Sequence, residues 1–259
     1  MTVATNVLEL IGNTPIVKLN KLAGKDYADI YVKLEYFNPG GSVKDRPALY
    51  MIEKAEEDGK LKKGYVIVEP TSGNTGVGLA MVGAAKGYKV ILVMPETMSI
   101  ERRNLFKAFG AEVVLTPGSN GMKGAVDKAE ELAKQNSNYY IPYQFGNENN
   151  TLSHIETTAQ EILKDLGSNI DVFIAGIGTG GTVTGVGKVL KEKNSNVKII
   201  GVEPKSSPLL SEGKAGPHKI QGIGANFVPK ILDLDLLDDI NTVSNEDAIE
   251  TTRQLAREE

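Results

Sequence analysis

Three stretches of this chain set reactive or anion-binding groups beside glycine turns. The first is Asn38-Pro39-Gly40-Gly41-Ser42-Val43-Lys44-Asp45-Arg46, and the apolar residues after it, Ala48, Leu49, Ile52 and Ala55, recur at helical spacing. Ser42 reads as the N-cap and Asp45 as its returning partner in a capping box, which sets Lys44 in the first helical turn. The positive end of a helix dipole lowers a lysine's affinity for its proton, and burial lowers it further. An amine so placed becomes a nucleophile for a carbonyl group. Position alone fits a solvated lysine more readily, because the dipole costs a surface cation only ~0.3–1 kcal/mol.

The second stretch, Thr71-Ser72-Gly73-Asn74-Thr75-Gly76, lies between an apolar run and a helical pattern. Free amides and hydroxyls at a helix N-terminus suit a carboxylate, although the same residue types are ordinary caps. The third, Gly176-Ile177-Gly178-Thr179-Gly180-Gly181-Thr182, has enough glycine for a phosphate to approach the backbone. It also matches G-x-G-x-x-G at Gly176, Gly178 and Gly181, with Glu203 22 residues beyond Gly181. That pattern is the dinucleotide fingerprint, so a nicotinamide-dependent oxidoreductase with Glu203 on a ribose is an open alternative.

Regular alternation of elements positions these turns. Strands are predicted at 65–70, 89–95, 112–115 and 139–144, with helices at 77–85, 100–109 and 122–136 between them. A second series runs through a helix at 155–166, a strand at 171–175, a helix at 183–193 and a strand at 198–203. Segments 38–41 and 213–217 read as loops. Two α/β units with largely parallel sheets follow, and right-handed crossovers gather the strand-to-helix turns at one end of each sheet.

Composition narrows the chemistry. The 33 acidic and 29 basic residues are interspersed and leave a net charge of -4, which gives no footprint for nucleic acid or an anionic membrane. Absence of cysteine removes thiol nucleophiles, disulfides and cysteine-based zinc sites, and His154 and His218 lack ligand spacing, so no metal site is expected. No apolar run reaches membrane-spanning length and no leader pattern opens the chain, so a cytoplasmic location is expected.

Taken together, the motifs resemble the cysteine synthase (O-acetylserine sulfhydrylase) and cystathionine β-synthase family of fold type II pyridoxal-phosphate enzymes. The resemblance spans essentially the whole chain and rests on GNTPIVKLN from Gly12, NPGGSVKDR from Asn38, EPTSGNTG from Glu69, GTGGT from Gly178, GVEP from Gly201 and HKIQGIGANFVP from His218. It implies two three-layer α/β domains of the tryptophan synthase β-like type, with the cofactor in the interdomain cleft. A smaller mobile substrate-binding domain would comprise residues 1–12 and 37–147, and a larger phosphate-binding domain residues 13–36 and 148–259.

The resemblance further implies that Lys44 forms the Schiff base with pyridoxal 5'-phosphate. Asn74 would contact the cofactor's phenolic oxygen, and Gly178, Thr179, Gly180, Gly181 and Thr182 would bind its phosphate. Thr71, Ser72, Gly73, Thr75 and Gln144 would hold the substrate carboxylate. Lys44, released by the substrate amine, would then act as the base at Cα, one β-substituent would leave, and a second nucleophile would add. A homodimer is also implied. The expected reaction is formation of cysteine from O-acetylserine, or a related amino acid, with sulfide or a thiol. The runner-up is a cysteine β-lyase or a lanthionine- or cystathionine-forming enzyme that releases hydrogen sulfide.

Two departures stand out. The chain stops at Arg257-Glu258-Glu259, before the serine that contacts the pyridine nitrogen in the family, so a C-terminal part is expected to be missing. Asn226 also stands where sulfhydrylases carry glycine in GIGAGF, and it is expected to adapt the acceptor side to cysteine or a larger thiol.

Overall fold

The computed structural model describes residues 3–24 and 26–259. Compact packing divides the chain into two units, Met1–Gly12 with Asn38–Asn150 and Asn13–Phe37 with Thr151–Glu259. Strands β1 (Ile16–Lys18) and β2 (Tyr31–Lys33) pair antiparallel within the second unit.

The first unit contains α1 (Asp45–Glu57), β3 (Val66–Pro70), α2 (Asn74–Lys86), β4 (Lys89–Pro95), α3 (Ile100–Ala108), β5 (Glu112–Thr116), α4 (Gly121–Gln135) and β6 (Tyr139–Tyr140). Its four strands form a parallel sheet in the order β5-β4-β3-β6. Side chains alternate across a strand, and here the alternation feeds two separate cores. Ile67, Leu92 and Met94 pack with Ala48 and Ile52 of α1, Leu79 of α2 and Phe106 of α3. Val66, Val68, Ile91 and Val93 face the opposite way, onto Ala125 and Ala129 of α4. Both faces of the central strands are therefore dry, which explains why 66–68 and 90–94 read as unbroken apolar runs rather than as alternating ones.

Helix α5 (Glu148–Ser153) carries the chain from the first unit into the second, where a π-helical turn (His154–Thr158) and α6 (Ala159–Leu166) precede β7 (Val172–Gly176), α7 (Gly181–Lys193), β8 (Lys198–Pro204), α8 (Leu209–Glu212), β9 (Asp239–Val243) and α9 (Asn245–Glu258). Strands β7, β8 and β9 form a parallel sheet in that order. Ala159 and Ile162 of α6 and Val183, Val186 and Leu190 of α7 pack with Ile199 and Ile177 into one core. Helices with both parallel sheets are the fold expected from the alternating elements.

Three local expectations change. Helix α2 begins at Asn74 rather than at residue 77, so the TSGNT turn runs directly into it. The strand expected at 139–144 ends at Tyr140, and Tyr143, with φ 58, lies in the turn beyond it. The helix expected at 155–166 opens with the wider π-helical turn. Among the described residues no helix is long and apolar enough to cross a membrane.

Candidate active site

Lys44 stands at the N-cap of α1 and not in its first turn. The capping box predicted from Ser42 and Asp45 does not form. Ser42 Oγ accepts the Lys44 backbone N–H at 3.1 Å, and the Asp45 carboxylate turns back to accept the Gly40 N–H at 2.6 Å. Glycine is required at position 40, because a Cβ there would lie 2.5 Å from Asp45 Oδ1. A second glycine sets what the lysine faces. At Gly78 of α2 a Cβ would lie 2.9 Å from Ala48 Cβ and 3.0 Å from the Lys44 carbonyl, so only glycine lets the start of α1 pack this closely on α2. Lys44 is thereby set about one helical turn from Asn74, the first residue of α2.

The TSGNT turn lies at the carboxyl end of β3. Thr71 is buried and continues the ladder to Val93 through its N–H, while its hydroxyl accepts the Gly73 N–H at 3.2 Å. Ser72 is half-buried, and beyond Gly73 nothing lies within 4 Å of where a Cβ would be. Thr75 donates to Gln144 Oε1 at 2.6 Å, and both side chains are buried. With that oxygen occupied, Gln144 presents its Nε2 amino group as a donor. The first turn of α2 adds amides that have no carbonyl partner one turn back. Neutral donors at a helix N-terminus are the chemistry an α-carboxylate needs.

The glycine loop of the second unit is forced into shape by its glycines. At Gly178 a Cβ would collide with the Gly222 carbonyl oxygen, and Gly180 combines φ 86 with a Cβ position 2.7 Å from Leu232 Cβ. Its backbone then runs into α7 at Gly181, while Thr179 is buried and Thr182 carries a hydroxyl in the first turn. Amides and hydroxyls without a cation, on a backbone kept bare of side chains, fit a phosphate ester. The phosphate group of pyridoxal phosphate meets this test.

A nicotinamide cofactor does not fit. Glu203 is buried and its carboxylate accepts the N–H groups of Leu210 at 2.9 Å and Ser211 at 3.0 Å and the Ser211 hydroxyl at 2.5 Å. It caps α8 and is not available to a ribose. Close approach of Ile223 to Gly176 and of the Gly222 carbonyl to Gly178 accounts for the first two glycines of the G-x-G-x-x-G pattern without a dinucleotide.

Asn226 adopts φ 60, the left-handed conformation that glycine occupies freely and asparagine tolerates best among other residues. Ser207 donates to Asn226 Oδ1 at 2.8 Å and accepts the Gly216 N–H at 3.1 Å, so the amide ties two loops together. Residues 177, 178 and 224–227 line the same small depression.

Three residues that touch these turns were not singled out from sequence. Glu69, fully buried at the end of β3, accepts the N–H groups of Tyr143 at 3.0 Å and Gln144 at 3.2 Å and so holds the Gln144 segment. Burial pushes its carboxyl up to about 7 against the pull of those two donors. An acid closing the run Val66-Ile67-Val68 was the signal for it. His154, also buried, has Nδ1 2.9 Å from the Thr158 hydroxyl and Nε2 3.2 Å from that of Thr182. Arg102 of α3 donates through Nη1 to Asn74 Oδ1 at 2.8 Å. No spacing in the sequence announces either contact.

Residues 7–259 match the family described as pyridoxal-phosphate dependent enzyme. The chain belongs to that family, and its cofactor is pyridoxal 5'-phosphate. Within it, cysteine synthase from Staphylococcus aureus (strain N315) is 58% identical over 255 residues, which are 98% of this chain and 82% of that protein. Cysteine synthase from a Flavobacterium species is 58% identical over 254 residues, with the same coverage. Two solved structures share the fold type II architecture. A hydrogen sulfide-producing enzyme from Fusobacterium nucleatum superposes with TM-score 0.94 at 54% identity, over 99% of this chain and 84% of that one. Cysteine synthase from Entamoeba histolytica gives TM-score 0.95 at 44% identity, over 99% and 77%.

Proposed function

We propose that this protein is a cysteine synthase of the O-acetylserine sulfhydrylase type. The observation that carries the reading is the placement of Lys44 against α2 by Gly78, beside a turn whose donors are set for a carboxylate. Thr71, Ser72, Gly73, Thr75 and Gln144 bind the substrate carboxylate, which fixes the amino acid by the end remote from the reacting bond. Asn74 would donate to the phenolic oxygen of the cofactor, and the amides of Gly178 to Thr182 would hold its phosphate. Pyridoxal phosphate, when bound, supplies the conjugated ring that takes up the electron pair left at Cα.

Lys44 moves the proton. Its amine removes the proton from Cα of O-acetylserine and returns it once the Cβ–O bond has been exchanged for a Cβ–S bond, acetate leaving as sulfide arrives. Its position at the N-cap of α1 supports this role. Homodimer formation belongs to the same reading. A cytoplasmic location agrees with a small-molecule biosynthetic role.

Purified protein mixed with pyridoxal phosphate is expected to show a visible absorption band, which O-acetylserine alters and sulfide restores with stoichiometric cysteine. Lys44→Ala is expected to lose both band and turnover. A Lys44→Ala protein with wild-type spectrum and rate would end the assignment. A second reading, sulfide release from cysteine, draws support from Asn226 at a position bordering the glycine loop, and the same experiment started from cysteine measures it.

A further inference from the structure

We infer that Arg102 is a positioning residue that decides which end of the Asn74 amide faces the cofactor. A guanidinium carries only donors, so the 2.8 Å contact from Arg102 Nη1 can be made to Asn74 only through Oδ1. The Nδ2 amino group of Asn74 is thereby turned away from Arg102 and left as the outward donor. An amide that faced the other way would offer an acceptor to an anionic phenolic oxygen and repel it.

The elements are built to hold this contact. Ser99 caps α3 by accepting the Arg102 N–H at 3.4 Å, which fixes the start of the helix two residues before the arginine. One turn further on, fully buried Phe106 shares the face of α3 that carries Arg102, since residues four apart lie above one another. The Phe106 ring fills the space left by Gly76 of α2, where a Cβ would lie 2.7 Å from Phe106 Cζ. Gly76 admits the ring, the ring seats α3 against α2, and Arg102 then reaches Asn74.

The inference rests on the proposed role of Asn74 as the donor to the cofactor, and the test separates the two. Arg102→Ala, Arg102→Lys and Arg102→Glu are made in the wild-type protein and in Asn74→Ala, each loaded with pyridoxal phosphate. The readouts are the wavelength and pH midpoint of the visible cofactor band, the cofactor dissociation constant and kcat/KM. Loss of one hydrogen bond in Arg102→Ala is expected to weaken kcat/KM by about two- to tenfold and to move the band's pH midpoint. Arg102→Lys, which also only donates, restores most of the loss. Arg102→Glu accepts from Nδ2, flips the amide and falls below Arg102→Ala. In Asn74→Ala all three substitutions become equivalent, because no amide remains to be turned. Equal values for wild type and Arg102→Ala beside an impaired Asn74→Ala would overturn the role of Arg102 alone. An excess loss in Arg102→Glu that persists without Asn74 would overturn it as well, in favour of a charge effect. Asn74→Ala indistinguishable from wild type would overturn the donor role of Asn74 and the inference with it.

Discussion

Asparagine at 226 meets two demands that glycine meets only in part. Its backbone takes a left-handed conformation open to glycine, while its side chain accepts from Ser207 and joins the 205–217 and 222–229 segments. Replacing it with glycine keeps the backbone and deletes the tie. We expect Asn226→Gly to lower the ratio of sulfide release from cysteine to cysteine formation from O-acetylserine, both rates measured on the same preparation. An unchanged ratio would remove Asn226 from the acceptor side. Lys44 and the glycine loop are readable in sequence because a turn, a cap and a run of glycines are local patterns, whereas the neighbours that demand glycine at 78, 178 and 180 are distant in sequence. Gln144 is legible only through resemblance, since its partner Thr75 is 69 residues away.

At the scale of elements, two contacts govern the site. Gly78 sets the distance between α1 and α2, and Gly78→Ala would drive its methyl into Ala48 and the Lys44 carbonyl. Overpacking of this kind costs roughly 1–3 kcal/mol. We expect a lowered melting temperature together with weaker cofactor binding, because the strained contact includes the backbone of Lys44.

Glu69 connects β3 to the Gln144 segment. Its carboxyl is raised by burial from about 4.5 to about 7, so the folded state binds a proton there that the unfolded chain has released between those values. The stabilising contribution is complete below pH 4.5 and is lost as pH rises through 7, a change on the order of 3 kcal/mol. Urea unfolding of wild type and Glu69→Gln across that window checks it. The variant is expected to lack this part of the pH slope, and parallel curves would show that Glu69 titrates normally. The same variant places an amide N–H₂ opposite one of two backbone donors and should raise KM more than it lowers kcat.

The whole molecule is an α/β protein in which each parallel sheet carries a candidate functional turn at the carboxyl end of a strand, as parallel topology favours. A ligand that binds only the folded state stabilises it by RT ln(1 + [L]/Kd), about 2.7 kcal/mol at a hundredfold excess over Kd. Thermal unfolding with pyridoxal phosphate is therefore expected to shift upward with cofactor concentration, and Lys44→Ala to reduce the shift. A melting temperature insensitive to cofactor would contradict the family's chemistry in this chain.

Periodicity and turn chemistry determined from sequence alone that strands alternate with helices in largely parallel sheets, and singled out three glycine-rich turns as the candidates for chemistry. These are short-range properties, set by side-chain alternation, by the conformations glycine allows and by the donors a helix N-terminus leaves open. The sequence left the glycine loop compatible with either a dinucleotide or a phosphate ester. Tertiary structure decided it by committing Glu203 to the amides of α8. It also decided that Asp45 returns to Gly40, that Glu69 accepts from the Gln144 segment and that Arg102 donates to Asn74. Those pairings follow from how closely packed elements let one side chain reach another, and for the longer-range ones no local spacing encodes the distance.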